Sequence, residues 1–282
     1  MFEIALYAEK PREVGEIVAN APDADWREIP AEQLLLIETD AGQITVALSS
    51  VLAQDHVAQI RTLAQEDYYA GLSFYRVIEG FVAQGGDHTG DADLGSAKTQ
   101  LAAEFEEPLP AGATFSPLLY ADHYAPEAGY IESLPAGRDR KTGTAWLAHC
   151  TGAFAFGRNN ERDTASTEFY ITLQPQRYLD RNLSVAGRVI DGMSIAQAAP
   201  RGVIDDDPKT DDFSERLRLK GMRFASDLPE GERPRWRILD DKSASFKELV
   251  DARAARPSEF FYYRPNHVDL CQMPIPVQKI GN

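Results

Sequence analysis

Cysteine is scarce in this sequence: Cys150 and Cys271 are the only two among 282 residues. Two cysteines are too few for the disulfide framework of a small secreted domain. Each has a histidine nearby, His149 and His267, so a zinc site with two ligands of each kind can be drawn. Neither pair has the Cys-x₂₋₄-Cys spacing common in such sites. We therefore favour free buried thiols or one disulfide, and we predict no metal.

Long apolar runs are also missing. No window approaches the roughly 18 consecutive apolar residues that a membrane helix needs. Near the start, Glu3, Glu9, Lys10 and Arg12 interrupt the apolar residues, whereas a secretory signal has an uncharged central segment. The sequence predicts a soluble protein that is cytoplasmic as the chain stands, and periplasmic if a signal peptide was removed.

Positive charge is in deficit. The chain has 29 lysines and arginines against 44 acidic residues, for a net charge of -15. Such a charge opposes binding to phosphate backbones and anionic membranes. We predict neither nucleic acid nor a membrane as a partner. At 282 residues the chain can form one large domain or two small ones, with a full core.

The most informative stretch is FYRVIEGFVAQGGD, residues 74–87. It places Arg76 five residues before Phe81, and Gln84 and a glycine pair follow. Taken singly, a phenylalanine is usually core and a glycine pair is usually a turn. An arginine, however, carries several donors in a rigid fork and stays charged. The order of all these residues together favours a functional site.

This stretch resembles the signature of the cyclophilins, which are peptidyl-prolyl cis/trans isomerases. Residues 168–173 (EFYITL) resemble the second signature strand of that family, and YLD at 178–180 resembles its Trp-Leu-Asp. VAGRVIDGM at 185–193 resembles its late Val-Phe-Gly-x-Val-x-x-Gly-Met segment. The order and approximate spacing agree, and the resemblance covers about residues 32–228.

The resemblance implies a mainly β fold, a cyclophilin-like closed eight-stranded antiparallel β-barrel capped by two helices. Side chains fill a barrel of this size, so we expect substrate on its outer face. A hairpin pattern over 33–48 and a helix capped by Asp55 fit the first half of such a barrel. We predict an N-terminal extension (1–31), a barrel domain (32–228) with an insertion at about 106–150, and a C-terminal extension (229–282).

The two additions carry signals of their own. Tyr120, Tyr124, Tyr130 and Trp146 make the insertion too aromatic for a plain linker, so it either packs on the barrel near the groove or is a surface elaboration. In the C-terminal extension, a capping box at residues 245–248 predicts a short helix that packs on the barrel. The aromatic run at 260–263 is expected to be buried against the barrel or another subunit. A Cys150–Cys271 disulfide would tie this extension to the insertion.

The implied activity is rotation of Xaa-Pro bonds without any cofactor, on proline-containing peptides or unfolded proteins. A catalyst of this reaction binds the twisted amide more tightly than either planar isomer. The resemblance implies that Arg76 binds the carbonyl oxygen and the nitrogen lone pair and that Phe81 forms the proline pocket. Gln84 would then orient the backbone or Arg76 by hydrogen bonds. The implied substrate-binding residues are Tyr75, Val82, Gly157, Arg158, Glu168, Tyr170, Tyr178, Leu179 and Leu183.

Several of these positions depart from the family pattern. Tyr75 and Leu183 stand where the family has histidines, and Arg158 stands near its Ala-Asn-Ala. Tyr178 replaces a tryptophan that helps to hold cyclosporin, so we expect weak or no cyclosporin binding. Glu168 replaces a glutamine, and a carboxylate near the catalytic arginine can hold its guanidinium or compete with substrate.

Two functions remain open from the sequence. The first is an active prolyl isomerase, which the intact trio Arg76, Phe81 and Gln84 favours. The alternative is a cyclophilin-like peptide-binding or chaperone module with little or no turnover, which Arg158, Glu168 and Leu183 favour.

Overall fold

The centre of the protein is one antiparallel sheet of eight strands, seen in a computed structural model that describes residues 12–202 and 215–281. In spatial order its strands are β14 (Leu219–Phe224), β2 (Leu34–Thr39), β3 (Gly42–Leu48), β13 (Val185–Asp191), β11 (Ala153–Phe156), β12 (Phe169–Thr172), β5 (Val82–Gly86) and β4 (Ser73–Val77). The end strands approach each other, since the Gly71 and Phe74 amides donate to the Leu219 and Leu217 carbonyls. The sheet is thus a nearly closed barrel, which confirms the predicted fold.

Apolar side chains fill the barrel interior. Ile37, Ile44, Phe154 and Phe169 are fully buried in one cluster. Two helices contact the barrel strands, α2 (Gln54–Gln65) and α3 (Met193–Ala198). Because the interior is occupied by side chains, any substrate must bind on the outer surface.

The start of α2 differs from the prediction. Its N-cap is Ala53 in the left-handed conformation (φ 55°), not Asp55. The carboxylate of Glu107 accepts from the Ala53 amide, and that of Glu104 accepts from the Asp55 and His56 amides. Acidic side chains from a distant segment therefore satisfy the free amides of the first turn.

The insertion folds as a five-stranded antiparallel sheet. Its strands, in spatial order, are β6 (Glu107–Pro108), β10 (Thr144–Leu147), β9 (Leu134–Asp139), β8 (Glu127–Ile131) and β7 (Ser116–Pro117). Buried Ile131, Leu134 and Leu147 of this sheet form one cluster with Val82 and Tyr170 of the barrel. The insertion therefore packs on the outside of the barrel behind those two residues.

The N- and C-terminal segments build a joint layer. β1 (Trp26–Ile29), β15 (Arg235–Leu239) and β16 (Val277–Ile280) form a three-stranded sheet in the order β1-β15-β16. Beside it, α1 (Val14–Ala19) contacts α4 (Ala244–Ala255). Buried Phe246 of α4 shares a cluster with Tyr130 of the insertion. The C-terminal helix thus packs with α1 and the insertion sheet, and its N-cap is Ser243, two residues before the predicted capping box.

Cys150 and Cys271 form a disulfide with a Cα–Cα distance of 4.9 Å, which joins the segment before β11 to the C-terminal segment. Neither thiol is therefore free to bind zinc. Over the described ranges, no group of three or more His, Cys, Asp and Glu side chains is arranged to hold a metal ion. Within the same ranges, no helix is long and apolar enough to cross a membrane.

The aromatic run in the C-terminal segment is on the surface. Phe260, Tyr262 and Tyr263 are 80% or more exposed. Phe261 lies beside the guanidinium of Arg256, 5.2 Å from its carbon to the ring centroid. The expected burial of this run against the barrel is therefore not observed.

Candidate active-site groove

A groove of about 170 Å³ lies on the outer face of the barrel. Its lining consists of nine residues, all of them predicted site residues: Arg76, Phe81, Val82, Gln84, Gly157, Arg158, Tyr170, Leu179 and Leu183. Strand register explains how distant parts of the chain meet here. Gln84 on β5 pairs with Arg76 on β4 and with Tyr170 on β12, so the three residues form a row across neighbouring strands.

The turn between β4 and β5 places Phe81 beside Arg76. The Ile78 amide donates to the Val82 carbonyl and the Phe81 amide to the Ile78 carbonyl, so the connection is tight. Gly80 adopts φ 66°, a conformation that favours glycine. As a result, the Arg76 guanidinium carbon lies 5.6 Å from the centroid of the Phe81 ring.

A β-bulge brings two successive side chains of β4 to the same amide. Phe74 pairs with Gly85 and Arg76 pairs with Gln84, so Tyr75 is an extra residue between two pairs. Bulges of this kind redirect side chains that would otherwise alternate between faces. Arg76 Nη1 donates to Gln84 Oε1 at 3.3 Å, and Gln84 Nε2 donates to the Tyr75 hydroxyl.

The same chain of hydrogen bonds ends at Glu168. The Tyr75 hydroxyl donates to Glu168 Oε2. Arg76 forms no ion pair in the part of the chain that the structure describes, and the neutral side chains of Tyr75 and Gln84 link it to Glu168. The expected direct contact between Glu168 and the guanidinium is wrong, because the longer path through the bulge separates the two groups.

The Glu168 carboxyl lies in a site that disfavours its charge. Burial raises the pKa of Glu168 to about 7, although hydrogen bonds from Tyr75 and Gln84 act in the opposite direction. Its Oε1 is buried without a hydrogen-bond partner among the described residues. Gly86, at φ 139°, leaves room for this carboxyl, since a Cβ there would come within 2.3 Å of Oε1.

Arg158 is held on the opposite wall of the groove. Its guanidinium donates to the carbonyls of Asn159 at 2.7 Å, Asn160 at 3.1 Å and Asn182 at 3.1 Å. It also lies over the Phe105 ring, at 5.3 Å from the centroid. Arg158 is thus a restrained cation at the edge of the groove.

Tyr170, on the groove floor, belongs to a second network, of which the sequence motifs indicate only one member. Its hydroxyl lies 2.8 Å from His149 Nε2, and His149 Nδ1 lies 2.9 Å from Asp180 Oδ1. Asp180 also pairs with Arg177, which in turn pairs with Asp122 of the insertion. The only sequence signal for this network is the position of Asp180 in the YLD motif.

Three predicted site residues lie outside the lining of the groove. Tyr75 and Glu168 stand behind it, in the hydrogen-bonded chain that ends at Arg76. Tyr178 is 58% exposed and does not contribute to the lining, whereas its neighbour Leu179 does.

Proteins with similar sequences are peptidyl-prolyl isomerases by name. The family described as "Cyclophilin type peptidyl-prolyl cis-trans isomerase/CLD" matches residues 34–219. The chain is 29% identical over 161 residues to "Peptidyl-prolyl cis-trans isomerase ppi1" of Schizosaccharomyces pombe, an alignment that covers 57% of this chain and 81% of that protein. It is 25% identical over 174 residues to "Probable peptidyl-prolyl cis-trans isomerase" of Brucella suis, covering 61% of this chain and 73% of that protein.

A solved structure shares the fold beyond the barrel. The crystal structure of cyclophilin AquaCyp293 from Hirschia baltica superposes with a TM-score of 0.73 at 24% sequence identity. The superposition covers 90% of this chain and 93% of that one. The shared fold therefore extends over segments that lie outside the 34–219 match.

Proposed function

Because the chain belongs to the cyclophilin-type peptidyl-prolyl cis-trans isomerase family, we propose that its groove accelerates the rotation of Xaa-Pro bonds during protein folding. The observation that carries this proposal is that the Arg76 guanidinium carbon lies 5.6 Å from the centroid of the Phe81 ring in a surface groove. A charged donor beside an apolar ring is what a twisted prolyl amide requires. No cofactor is needed, because no covalent bond is made or broken.

The mechanism we propose is non-covalent. The uncatalysed barrier of about 18–20 kcal/mol comes from amide resonance, which is lost in the twisted state. Arg76 binds the carbonyl oxygen and the pyramidal nitrogen of that state, and Phe81 holds the proline ring. A guanidinium has five N–H donors, and Gln84 accepts from one of its nitrogens. Each further 1.4 kcal/mol, approximately, of preference for the twisted amide gives a tenfold higher rate.

We propose proline-containing peptides and unfolded proteins as substrates. The groove lies on the outer surface, where an extended chain can reach Arg76 and Phe81. Arg158 on its edge is a fixed cation, which favours acidic residues next to the proline. Weak cyclosporin binding stays a prediction, supported by the exposed position of Tyr178 outside the lining.

Binding without turnover is the second candidate. Its main reason is a glutamate at 168, which could capture Arg76 in an ion pair. Over the described residues Arg76 pairs with no carboxylate, and its contact is with the neutral side chain of Gln84. This geometry favours the isomerase, and Leu183 and Arg158 are left as the departures that support binding alone.

The test is cis/trans exchange of a proline peptide, measured by NMR at pH 8. We expect the wild type to accelerate exchange, and Arg76→Ala to lose about 10- to 100-fold, because a hydrogen bond to a charged group contributes about 1.5–3 kcal/mol. Arg223→Ala is the matched control, since Arg223 lies on β14 and pairs with Glu38. No acceleration by folded wild type, or equal rates in both variants, would contradict the proposal.

A further inference from the structure

The hydrogen bonds behind the groove have a fixed direction. The Tyr75 hydroxyl donates a hydrogen bond to Glu168 Oε2, so its oxygen is available to accept a hydrogen bond from Gln84 Nε2. Because an amide presents its oxygen opposite to its nitrogen, Gln84 Oε1 then faces Arg76 and accepts from Nη1. The carboxylate at one end of this chain thus decides which atom of Gln84 faces the catalytic arginine.

From this geometry we propose that Glu168 is a positioning residue, which acts on Arg76 through Tyr75 and Gln84 and makes isomerisation depend on its ionised form. The inference rests on the proposed function, since it assigns regulation to the same groove. It concerns a residue that does not line the groove.

Protonation of Glu168 at Oε2 turns the acceptor of the Tyr75 hydrogen bond into a donor. A protonated carboxyl is itself a donor, so it can give its proton to the Tyr75 oxygen. The Tyr75 hydroxyl then points toward Gln84, whose amide turns its oxygen to Tyr75 and its NH₂ group to Arg76. Two donors then face each other, and the guanidinium loses the contact that holds it in the groove. No proton passes to the substrate in this sequence.

The ionisation falls within the physiological range, because burial raises the pKa of Glu168 to about 7. Burial also raises the pKa of Tyr75, Tyr68 and Tyr69, so these neighbours remain neutral. Despite its partial burial, hydrogen bonds from Thr89 and Ala92 lower the pKa of Asp87, which stays charged and raises that of Glu168.

Two histidines adjoin this region and require controls. The His88 ring packs on the Tyr75 ring with centroids 4.9 Å apart. His149 contacts the hydroxyl of Tyr170 on the groove floor. Histidine is the side chain that ordinarily titrates near neutral pH, so each of these must be separated from Glu168 by substitution.

The main experiment follows catalysed exchange by NMR from pH 5.5 to 8.5, with a proline peptide that has no group titrating in this range. We expect wild-type kcat/KM to follow one ionisation near pH 7, with about a tenfold loss between pH 8 and pH 6. Glu168→Gln keeps a neutral acceptor and is expected to give a flat profile. Glu168→Leu has no hydrogen-bond acceptor at this position and is expected to be less active at every pH. The Glu168→Gln variant should therefore be more active than Glu168→Leu.

Control variants distinguish Glu168 from other ionisable groups. Glu28→Gln changes an exposed glutamate in the terminal sheet, and we expect it to keep the wild-type profile. His88→Asn and His149→Asn are expected to retain one ionisation near pH 7. A flat wild-type profile, or a dependence that persists unchanged in Glu168→Gln, would overturn the inference.

A spectroscopic readout tests the hydrogen-bonded chain without turnover. In the substrate-free protein with ¹³C-labelled glutamate, we expect one carboxyl carbon to titrate near pH 7 and to be missing in Glu168→Gln. The chemical shift of the Arg76 Nε–Hε group should change with pH with the same midpoint. An Arg76 shift that does not change with the ionisation of Glu168 would overturn the inference. Absence of catalysis at every pH would defeat the proposed function, while these signals would still test the link from Glu168 to Arg76.

Discussion

Two hydrogen-bonded networks end in the groove, and they differ in whether their carboxylates contact a cation. The first, which we call the arginine chain, runs from Glu168 through Tyr75 and Gln84 to Arg76. Its one carboxylate meets only neutral partners, and burial raises the pKa of Glu168 to about 7. A buried carboxylate without a cation is able to change its charge at neutral pH.

The second, the insertion network, runs from Asp122 through Arg177, Asp180 and His149 to Tyr170. Here a buried arginine lies between two buried carboxylates. Despite burial, hydrogen bonds from Arg177 lower the pKa of Asp122. The comparison indicates that carboxylates in direct contact with a buried arginine stay ionised and fix the insertion to the groove floor. A buried carboxylate that contacts no cation can instead respond to pH.

The largest expected effect comes from removing the cation of the insertion network. Arg177→Met leaves the carboxylates of Asp122 and Asp180 buried without their cation, which costs about 3–5 kcal/mol of unfolding free energy. Arg223→Met is the matched control, because its pair with Glu38 is half exposed and contributes about 0–1 kcal/mol. Urea unfolding at pH 7 measures both, and equal losses would show that Arg177 does not stabilise the two buried carboxylates as described.

A smaller effect on the unfolding free energy is expected from removing the negative charge of Glu168. The folded-state pKa of Glu168 is raised from 4.5 to about 7. Between these values the folded protein holds a proton that the unfolded chain has lost, so the unfolding free energy falls as pH rises from about 4.5 to 7, by up to about 3 kcal/mol. Glu168→Gln should abolish this fall, so its gain over wild type should appear at pH 8 and vanish below pH 4.5 in thermal or urea unfolding.

This dependence is opposite in sign to the expected dependence of activity. At pH 6 the wild type should be more stable than at pH 8, yet less active. Loss of activity at pH 6 therefore cannot be ascribed to unfolding. A wild type that loses stability and activity together on acidification would contradict the assignment of both effects to Glu168.

The smallest effects come from one matched substitution in each network. Tyr170→Phe leaves His149 Nε2 without its partner and should cost about 1–3 kcal/mol of stability, with the pH midpoint of activity unchanged. Tyr75→Phe removes the hydroxyl that joins Glu168 to Gln84 and should lower activity at pH 8 by about 2- to 10-fold, through a hydrogen bond of about 0.5–1.5 kcal/mol. Its remaining activity should no longer follow pH, and a Tyr75→Phe profile with the wild-type midpoint would contradict the role of the hydroxyl.

Much of the fold and the groove is encoded locally and is therefore predictable from sequence. Arg76, Phe81 and Gln84 lie within nine residues, on two paired strands and the turn between them, so a short motif specifies their proximity. The hairpin of β2 and β3 follows likewise from alternating apolar residues around one turn. Such features depend on patterns among residues that are close in the sequence.

Other features depend on contacts between distant segments, and sequence patterns do not specify these. The cap of α2 is formed by Glu104 and Glu107, about fifty residues away, rather than by Asp55. The path from Glu168 to Arg76 depends on one extra residue in β4, a bulge with no sequence signal of its own. The cysteine pairing stayed open for the same reason, since it requires two segments 121 residues apart to meet.

The most direct test compares wild-type catalysis of proline-peptide exchange at pH 6 and pH 8 in otherwise identical samples. We predict clear acceleration at pH 8 and about tenfold less at pH 6, because the ionised fraction of a group with a pKa near 7 changes by that factor. Equal acceleration at the two pH values would contradict the control of Arg76 by Glu168. No acceleration at either would contradict the isomerase itself.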